Sequence, residues 1–196
     1  MTLRMGVIAL SLVVASCGGA TTSQTGPTSQ PSHGTGALAP DFSDRRPSHG
    51  SGALAPDFSA RSVDGKTVRL GTHLGKDVIL LSFWQTWCEP CIAEFPHLRR
   101  MYDANKDKGF VVFGVAMDGP ETVANVQAFT QRNQLNFKVL LDEDSHVAAI
   151  YNPKKSAPLS ILIDRSGKIA VIREGYNPGD EVYLGEDVDK ALSAQP

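Results

Sequence analysis

A pair of cysteines placed directly after a buried-strand pattern is the feature that most constrains this fold. Residues 78–83 read VILLSF, a nearly continuous apolar run that is typical of a central strand buried on both faces. Cys88 and Cys91 follow, and a helical pattern runs from Cys88 to about Asn105, with Pro96 expected to interrupt and kink it. A strand that leads through Cys-x-x-Cys into a helix indicates an α/β domain.

The position of the cysteines at a helix start predicts redox chemistry. Unpaired N–H groups and the positive end of the helix dipole stabilise a thiolate at Cys88, and Cys91 lies one turn on, close enough to form a disulfide. We therefore expect Cys88 to be the exposed, attacking cysteine. Cys91 would then resolve the mixed disulfide that Cys88 forms with a substrate. A zinc site would need two more ligands, so we expect no metal. A purely structural disulfide remains an alternative, although so short a loop stabilises little through chain entropy.

Strand and helix patterns alternate along the chain and end with a hairpin. Asp64-Gly65 predicts an N-terminal hairpin within residues 58–70, and the DRSG turn at 164–167 predicts a second hairpin. The remaining predicted elements are strands at 110–117 and 137–141 and helices at 121–134, 145–151 and 180–193. This order predicts a mixed sheet with helices on its faces.

Length and charge restrict the class of function. The 196 residues, 41% of them hydrophobic, suffice for one domain with attachments and not for two large domains. The 19 basic and 21 acidic residues give a formal charge of -2, without a block of like charges that would neutralise a phosphate backbone. We expect no nucleic-acid partner.

The first residues carry the pattern of an export signal. Arg4 precedes an apolar run at residues 5–15, which is too short to span a membrane but long enough for a signal peptide. Its end, Val14-Ala15-Ser16-Cys17, resembles the bacterial lipobox, in which the cysteine is lipidated and becomes the new N-terminus. We predict a lipoprotein signal peptide at residues 1–16 and lipidation of Cys17. The alternative is an ordinary signal peptide cut near an incidental cysteine.

A tether is predicted at residues 17–52, because their Ser, Thr, Gly, Pro and Gln offer little apolar surface to bury. Residues 31–43 (PSHGTGALAPDFS) and 47–59 (PSHGSGALAPDFS) repeat with a 16-residue period. We interpret the first copy as linker and the second as the entry to a domain at residues 53–196. Repetition accounts for His33 and His49, so they predict no metal site.

The segment Phe83-Trp84-Gln85-Thr86-Trp87-Cys88-Glu89-Pro90-Cys91 resembles the active-site strand and loop of the thioredoxin superfamily. The chain is similar in particular to the membrane-tethered TlpA/ResA-like branch, through APDF at 55–58, DGK at 64–66, and LID at 162–164 followed by Gly167-Lys168. The likeness covers residues 53–192. It implies a thioredoxin-like α/β fold, a central mixed sheet flanked by helices, with an N-terminal hairpin and a helix-strand insertion.

The same resemblance implies a substrate groove beside the cysteines. In that family a cis-proline faces the cysteine pair just before a strand, and Ala157-Pro158 stands at the matching place, although most X-Pro bonds are trans. The Ala157 backbone would pair with an extended substrate peptide. We expect the groove to be formed by Trp87, Glu89, Pro90, Ala157 and Pro158, with Glu89 solvated rather than catalytic.

Glu94 is the predicted proton-handling residue. Ordinary thioredoxins carry a buried Asp where this chain has Ser82, which cannot act as that base. Glu94 lies three residues after Cys91, on the same helix face, and matches the glutamate of the family's CEPC-x-x-E-F-P motif. The alternative is an acid in the first helical turn that merely complements the helix dipole.

The resemblance implies a lipid-anchored thiol-disulfide oxidoreductase on the extracytoplasmic side of the membrane. It would act without a cofactor and as a monomer, reducing cysteine pairs of other proteins such as apocytochrome c in cytochrome c maturation. A membrane-embedded thiol carrier would supply the electrons. Two alternatives stay open, a thiol peroxidase of related fold and a tethered binding protein whose cysteines form a structural pair.

Overall fold

The computed structural model describes residues 48–194, which form one eight-stranded sheet covered by helices on both faces. The predictions for residues 1–16, for Cys17 and for the first repeat copy lie outside the described residues. The elements in chain order are β1 (Ser48–His49), β2 (Ser59–Ser62), β3 (Thr67–Arg69), β4 (Val78–Trp84), α1 (Glu89–Asn105), β5 (Phe110–Ala116), α2 (Val123–Arg132), β6 (Lys138–Leu141), α3 (His146–Tyr151), β7 (Leu159–Ile163), β8 (Ile169–Glu174) and α4 (Asp180–Ser193).

The sheet is mixed, as the sequence predicted. Its strand order is β1-β8-β7-β4-β5-β6-β2-β3, in which β4–β5 and β5–β6 are parallel and every other pair is antiparallel. Helices α1 and α2 are the crossovers that the two parallel pairs require.

Strand β4 lies in the middle of the sheet, and all seven of its residues are buried. Val78, Leu80 and Trp84 face the core built with α1, α2 and α4. Ile79, Leu81 and Phe83 face the opposite core, which includes α3. Alternate side chains of a strand point to opposite faces, so a strand between two helical layers must be apolar throughout. Burial of each apolar side chain of this size contributes roughly 1.5 to 3 kcal/mol to the free energy of folding.

Three strand ends meet at one edge of the sheet. The parallel strands β4 and β5 both end there, with Trp84 beside Ala116. The antiparallel strand β7 begins there, with Leu159 opposite Phe83. The segments that leave β4, leave β5 and enter β7 are therefore neighbours, although they are far apart in sequence.

Both predicted hairpins are present, and an aspartate stabilises each turn. In the first, Asp64 Oδ1 accepts from Lys66 N at 3.2 Å, and Gly65 has a φ of 82°. In the second, Asp164 Oδ1 accepts from the backbone N–H groups of Ser166 at 2.9 Å and Lys168 at 3.0 Å. These short polar side chains satisfy turn N–H groups that the strands leave unpaired.

The domain begins earlier than the predicted boundary at residue 53. Ser48 and His49 pair with Ile172 and Val171 of β8, and the N–H groups of Gly50 and Gly52 donate to Ala170 O at 2.9 Å and Ile169 O at 3.1 Å. Residues 48–52, predicted as tether, thus cover the open edge of β8. Their composition gave no sign of this, because Ser, His and Gly form no apolar strand pattern.

Helix α1 is continuous through Pro96, so the predicted interruption at that residue is wrong. Pro96 removes the hydrogen bond to the carbonyl of Ile92, but both residues lie on the exposed face, where water can solvate that carbonyl.

Helix α2 starts at Val123 rather than Glu121, because Thr122 N donates to Gly119 O at 3.0 Å in a preceding turn. No helix within residues 48–194 is long and apolar enough to cross a membrane.

Candidate active site

The cysteine pair lies at the junction of β4 and α1. Cys88 and Cys91 are joined by a disulfide, and their Cα atoms are 5.3 Å apart. Cys88 is the N-cap of α1, and its Sγ accepts a hydrogen bond from Cys91 N at 3.3 Å. The sulfur therefore occupies the place where a capping oxygen usually satisfies the first N–H groups of a helix, and where the helix dipole stabilises negative charge.

The two cysteines differ less in exposure than the sequence predicted. Cys88 is 4% exposed and Cys91 is fully buried, so Cys88 is the more accessible cysteine, but only narrowly. The surface around them is open, since Trp87 is 66% exposed and Glu89 and Pro90 are also exposed. Trp84 is fully buried and belongs to the core beneath the loop.

The Ala157–Pro158 peptide bond is cis, as the family resemblance implied. Pro158 immediately precedes β7 and so reaches the sheet edge at which β4 continues into the cysteine loop. Gly175 N donates to Pro158 O at 2.8 Å, which ties the loop to the end of β8. Ala157 is half-buried and packs against the core cluster that contains Cys88 and Cys91.

Glu94 is a buried acid one helical turn from Cys91. It is 5% exposed, and its Oε1 accepts from Ser160 Oγ at 3.5 Å. Among the described residues, no donor contacts its Oε2. Burial raises the pKa of Glu94 to about 7, the Ser160 hydrogen bond opposes that shift, and the negative charge of Asp180 adds to it.

Glu94 does not lie in the first turn of α1, whose only acid is Glu89. The helix dipole acts mainly within the first turn, so the dipole interpretation of Glu94 loses its basis. Ser82 lies directly opposite Ser160 in the sheet, and its Oγ is also buried without a hydrogen bond among the described residues. Two serines and one acid thus form a small polar cluster inside an otherwise apolar core.

Known proteins share both sequence and fold with this chain. A family model described as AhpC/TSA matches residues 51–172. The thiol-disulfide oxidoreductase ResA of a Bacillus cereus strain is 36% identical over 124 residues, or 62% of this chain and 69% of that protein. ResA of Oceanobacillus iheyensis is 34% identical over 153 residues, or 77% of this chain and 71% of that protein. The chain belongs to the ResA/TlpA-like thioredoxin family.

The fold of this family member matches a solved structure as well. A putative thiol:disulfide interchange protein DsbE from Chlorobium tepidum gives a TM-score of 0.67 at 32% identity, covering 76% of this chain and all (100%) of that one. The predicted α/β thioredoxin-like fold is therefore confirmed, and the protein is a thiol-disulfide oxidoreductase.

Three polar residues at this site escaped the sequence analysis. Asp118 and Asn152 are 1% and 2% exposed and bind the loops around the cysteines and the cis-proline, and Ser160 binds Glu94. Asp118 could have been predicted, because it directly follows a strand pattern. Functional side chains often lie at the carboxyl ends of parallel strands. Asn152 and Ser160 carried no such signal, because their partners are set by tertiary packing.

Proposed function

We propose that this oxidoreductase is a lipid-anchored, extracytoplasmic reductant of disulfides in other proteins. The observation that carries the proposal is the Cys88–Cys91 disulfide at the start of α1, with cis-Pro158 at the same sheet edge and Glu94 buried one turn below. This arrangement combines an activated sulfur, a surface for an extended peptide and a proton acceptor.

In the proposed reaction, the thiolate of Cys88 attacks a sulfur of the substrate disulfide and forms a mixed disulfide, expelling the other substrate sulfur as a thiolate that takes up a proton. The thiolate of Cys91 then attacks Cys88 Sγ, which releases the second substrate thiolate and closes the Cys88–Cys91 bond. Two electrons pass from the enzyme dithiol to the substrate. A membrane thiol carrier then returns two electrons to the enzyme.

Glu94 accepts the proton of Cys91 when that thiol becomes the nucleophile. A carboxyl with a pKa of about 7 exchanges protons near neutral pH, which is where a general base works best. The alternative proton acceptor is solvent, but Cys91 is fully buried. We therefore assign the catalytic roles to Cys88, Cys91 and Glu94.

Substrate peptides dock across the groove formed by Trp87, Glu89, Pro90, Ala157 and Pro158. The exposed indole of Trp87 offers apolar contact next to the reactive sulfur. The backbone at Ala157 pairs with the extended peptide, so main-chain hydrogen bonds supply affinity for many sequences. The TlpA/ResA-like resemblance supports apocytochrome c as one such substrate.

The N-terminal sequence supports a location at the membrane surface. The apolar run at residues 5–15 and the lipobox-like end at Cys17 support export and lipid attachment. The acyl chains would hold the monomeric domain at the membrane surface through residues 18–47, within reach of its thiol donor.

Reduction of insulin in the presence of dithiothreitol tests the enzymatic part of the proposal. Wild type should accelerate insulin precipitation, and Cys88→Ser and Cys91→Ser should not. An inactive wild type would favour a binding protein with a structural disulfide. Rapid peroxide consumption without insulin reduction would favour a thiol peroxidase. A reduction potential of the Cys88–Cys91 couple near about -270 mV, as in thioredoxin, supports a reductant, and one near about -120 mV, as in DsbA, contradicts that direction.

A further inference from the structure

The end of β5 touches both loops of the active site. Met117 N donates to Trp84 O at 2.9 Å, and Gln85 Nε2 donates to Met117 O at 3.3 Å. The next residue, Asp118, accepts from Thr86 N at 3.0 Å and from Thr86 Oγ1 at 2.5 Å. Three hydrogen bonds thus join these two consecutive residues to the loop that leads into Cys88, and a fourth joins them to the last residue of β4.

The same two-residue segment also contacts the loop before the cis-proline. Asn152 Nδ2 approaches Met117 Sδ at 3.4 Å. The Asn152 side chain donates to Ser156 O at 2.8 Å and accepts from Ser156 N at 2.9 Å. Its amide therefore closes the loop that ends at Ala157–Pro158 while it rests on Met117.

We propose that Met117 and Asp118 set the distance between the cysteine loop and the cis-proline loop, with Asp118 and Asn152 as positioning residues. The groove has two walls on separate segments, namely the loop at Trp87 with the first turn of α1, and the loop that ends at Pro158, so contacts between these segments must fix the distance between the walls. Asp118 and Asn152 are 1% and 2% exposed, so solvent does not compete for these hydrogen bonds. Both bonds from Thr86 end on the carboxyl group of Asp118, and hydrogen bonds to a carboxylate are stronger than bonds between neutral groups.

This inference rests on the proposed function, because spacing matters only if a peptide must reach Cys88 while lying against Pro158. A peptide disulfide needs both walls at once. A small aromatic disulfide such as 5,5′-dithiobis(2-nitrobenzoic acid) needs only the sulfur. Loosening one wall should therefore slow the peptide much more than the small reagent.

The test measures both rates on reduced protein. For Thr86→Val and Asp118→Asn, we expect kcat/KM for a peptide disulfide to fall by about tenfold, while the rate with the small disulfide stays within about twofold. Asn152→Asp should show the same split. Thr86→Ser keeps the hydroxyl and should retain both wild-type rates. Thr130→Val is the matched control, since it removes a buried hydroxyl that donates to Val126 O at 2.8 Å within α2. This control should retain both wild-type rates.

The outcomes distinguish a failure of the positioning role from a failure of the proposed function. Equal losses with both substrates, or no loss in Thr86→Val, would overturn the positioning role. A double variant Thr86→Val/Asp118→Asn should lose less than the sum of the two single losses in free energy, because both changes weaken the contact between Thr86 and Asp118. Full additivity of the two single losses would also count against the positioning role. If Asp118→Asn does not fold, Thr86→Val still decides the question, and a wild type that reduces neither disulfide would refute the proposed function itself.

Discussion

Glu94 shows how burial turns an ordinary side chain into a functional one. Its place on α1 could be predicted from the helical spacing, but its pKa depends on the strands that cover it. With 5% of its surface exposed and one hydrogen bond from Ser160, the carboxylate has lost most of its hydration. This loss raises the pKa of Glu94 to about 7, so the protonated form predominates below about pH 7.

Replacing Glu94 by Gln should slow thiol exchange and leave the disulfide able to form. We expect the exchange rate with a peptide disulfide at about pH 7 to fall by about 100-fold, because the general base is lost. The lower thiol pKa should fall or stay level, since a neighbouring negative charge no longer opposes the thiolate. Stopped-flow exchange and thiolate absorbance measure both quantities. Wild-type values for both would leave solvent as the base.

Burial of Glu94 should also make the stability of the oxidised protein depend on pH. The pKa is about 7 in the folded chain against an ordinary value of 4.5, so the folded state binds the extra proton between these values. The stabilising contribution is complete below about pH 4.5 and is lost as the pH rises through 7, roughly 3 kcal/mol in all. Urea unfolding across this range should show a decline in wild type that is absent in Glu94→Gln. Parallel curves for the two proteins would contradict the raised pKa.

The order of attack by the two cysteines can be read from trapped complexes. Cys88 caps the helix and is the more accessible cysteine, whereas Cys91 is fully buried. Cys91→Ser should therefore accumulate mixed disulfides with partner proteins, visible as slower bands on non-reducing gels. Cys88→Ser should trap few or none, and the opposite pattern would reverse the assignment.

At the scale of elements, local patterns predicted what lies along the chain, and tertiary contacts decided the rest. The strand before the cysteines, the terminal helix and both hairpins could be predicted, because apolar periodicity and turn residues are local signals. The bonds between Thr86 and Asp118 join residues 32 positions apart, and no local pattern reports such a pair. Strand β1 was missed because a two-residue strand of Ser48 and His49 carries no apolar pattern.

Strand β1 gives the clearest test at this scale. Deleting residues 31–46 removes one repeat copy and keeps β1, so the melting temperature should change by no more than about 1 °C. Deleting residues 31–52 also removes the backbone bonds of Gly50 and Gly52 to β8. We expect that deletion to lower the melting temperature by about 2 to 6 °C in calorimetry. Equal effects of the two deletions would mean that β1 contributes nothing.

We expect the whole molecule to be attached to the membrane through a lipid on Cys17. If Cys17 is the lipidated N-terminus, a labelled fatty acid fed to cells should enter the wild type and be absent from Cys17→Ser. The variant should move from the membrane fraction to the soluble fraction, while its isolated domain keeps the wild-type rate of insulin reduction. An unlabelled, soluble wild type would contradict lipidation and favour an ordinary signal peptide.

The cysteine ring closes over a very short stretch of chain. Both sulfurs lie at the first turn of α1, with Cα atoms 5.3 Å apart, so making or breaking their bond confines no distant part of the sheet. A cross-link over so few residues changes little of the chain entropy of the unfolded state. The domain can therefore pass through many rounds of oxidation and reduction while its architecture stays the same, as a reusable carrier of electron pairs requires.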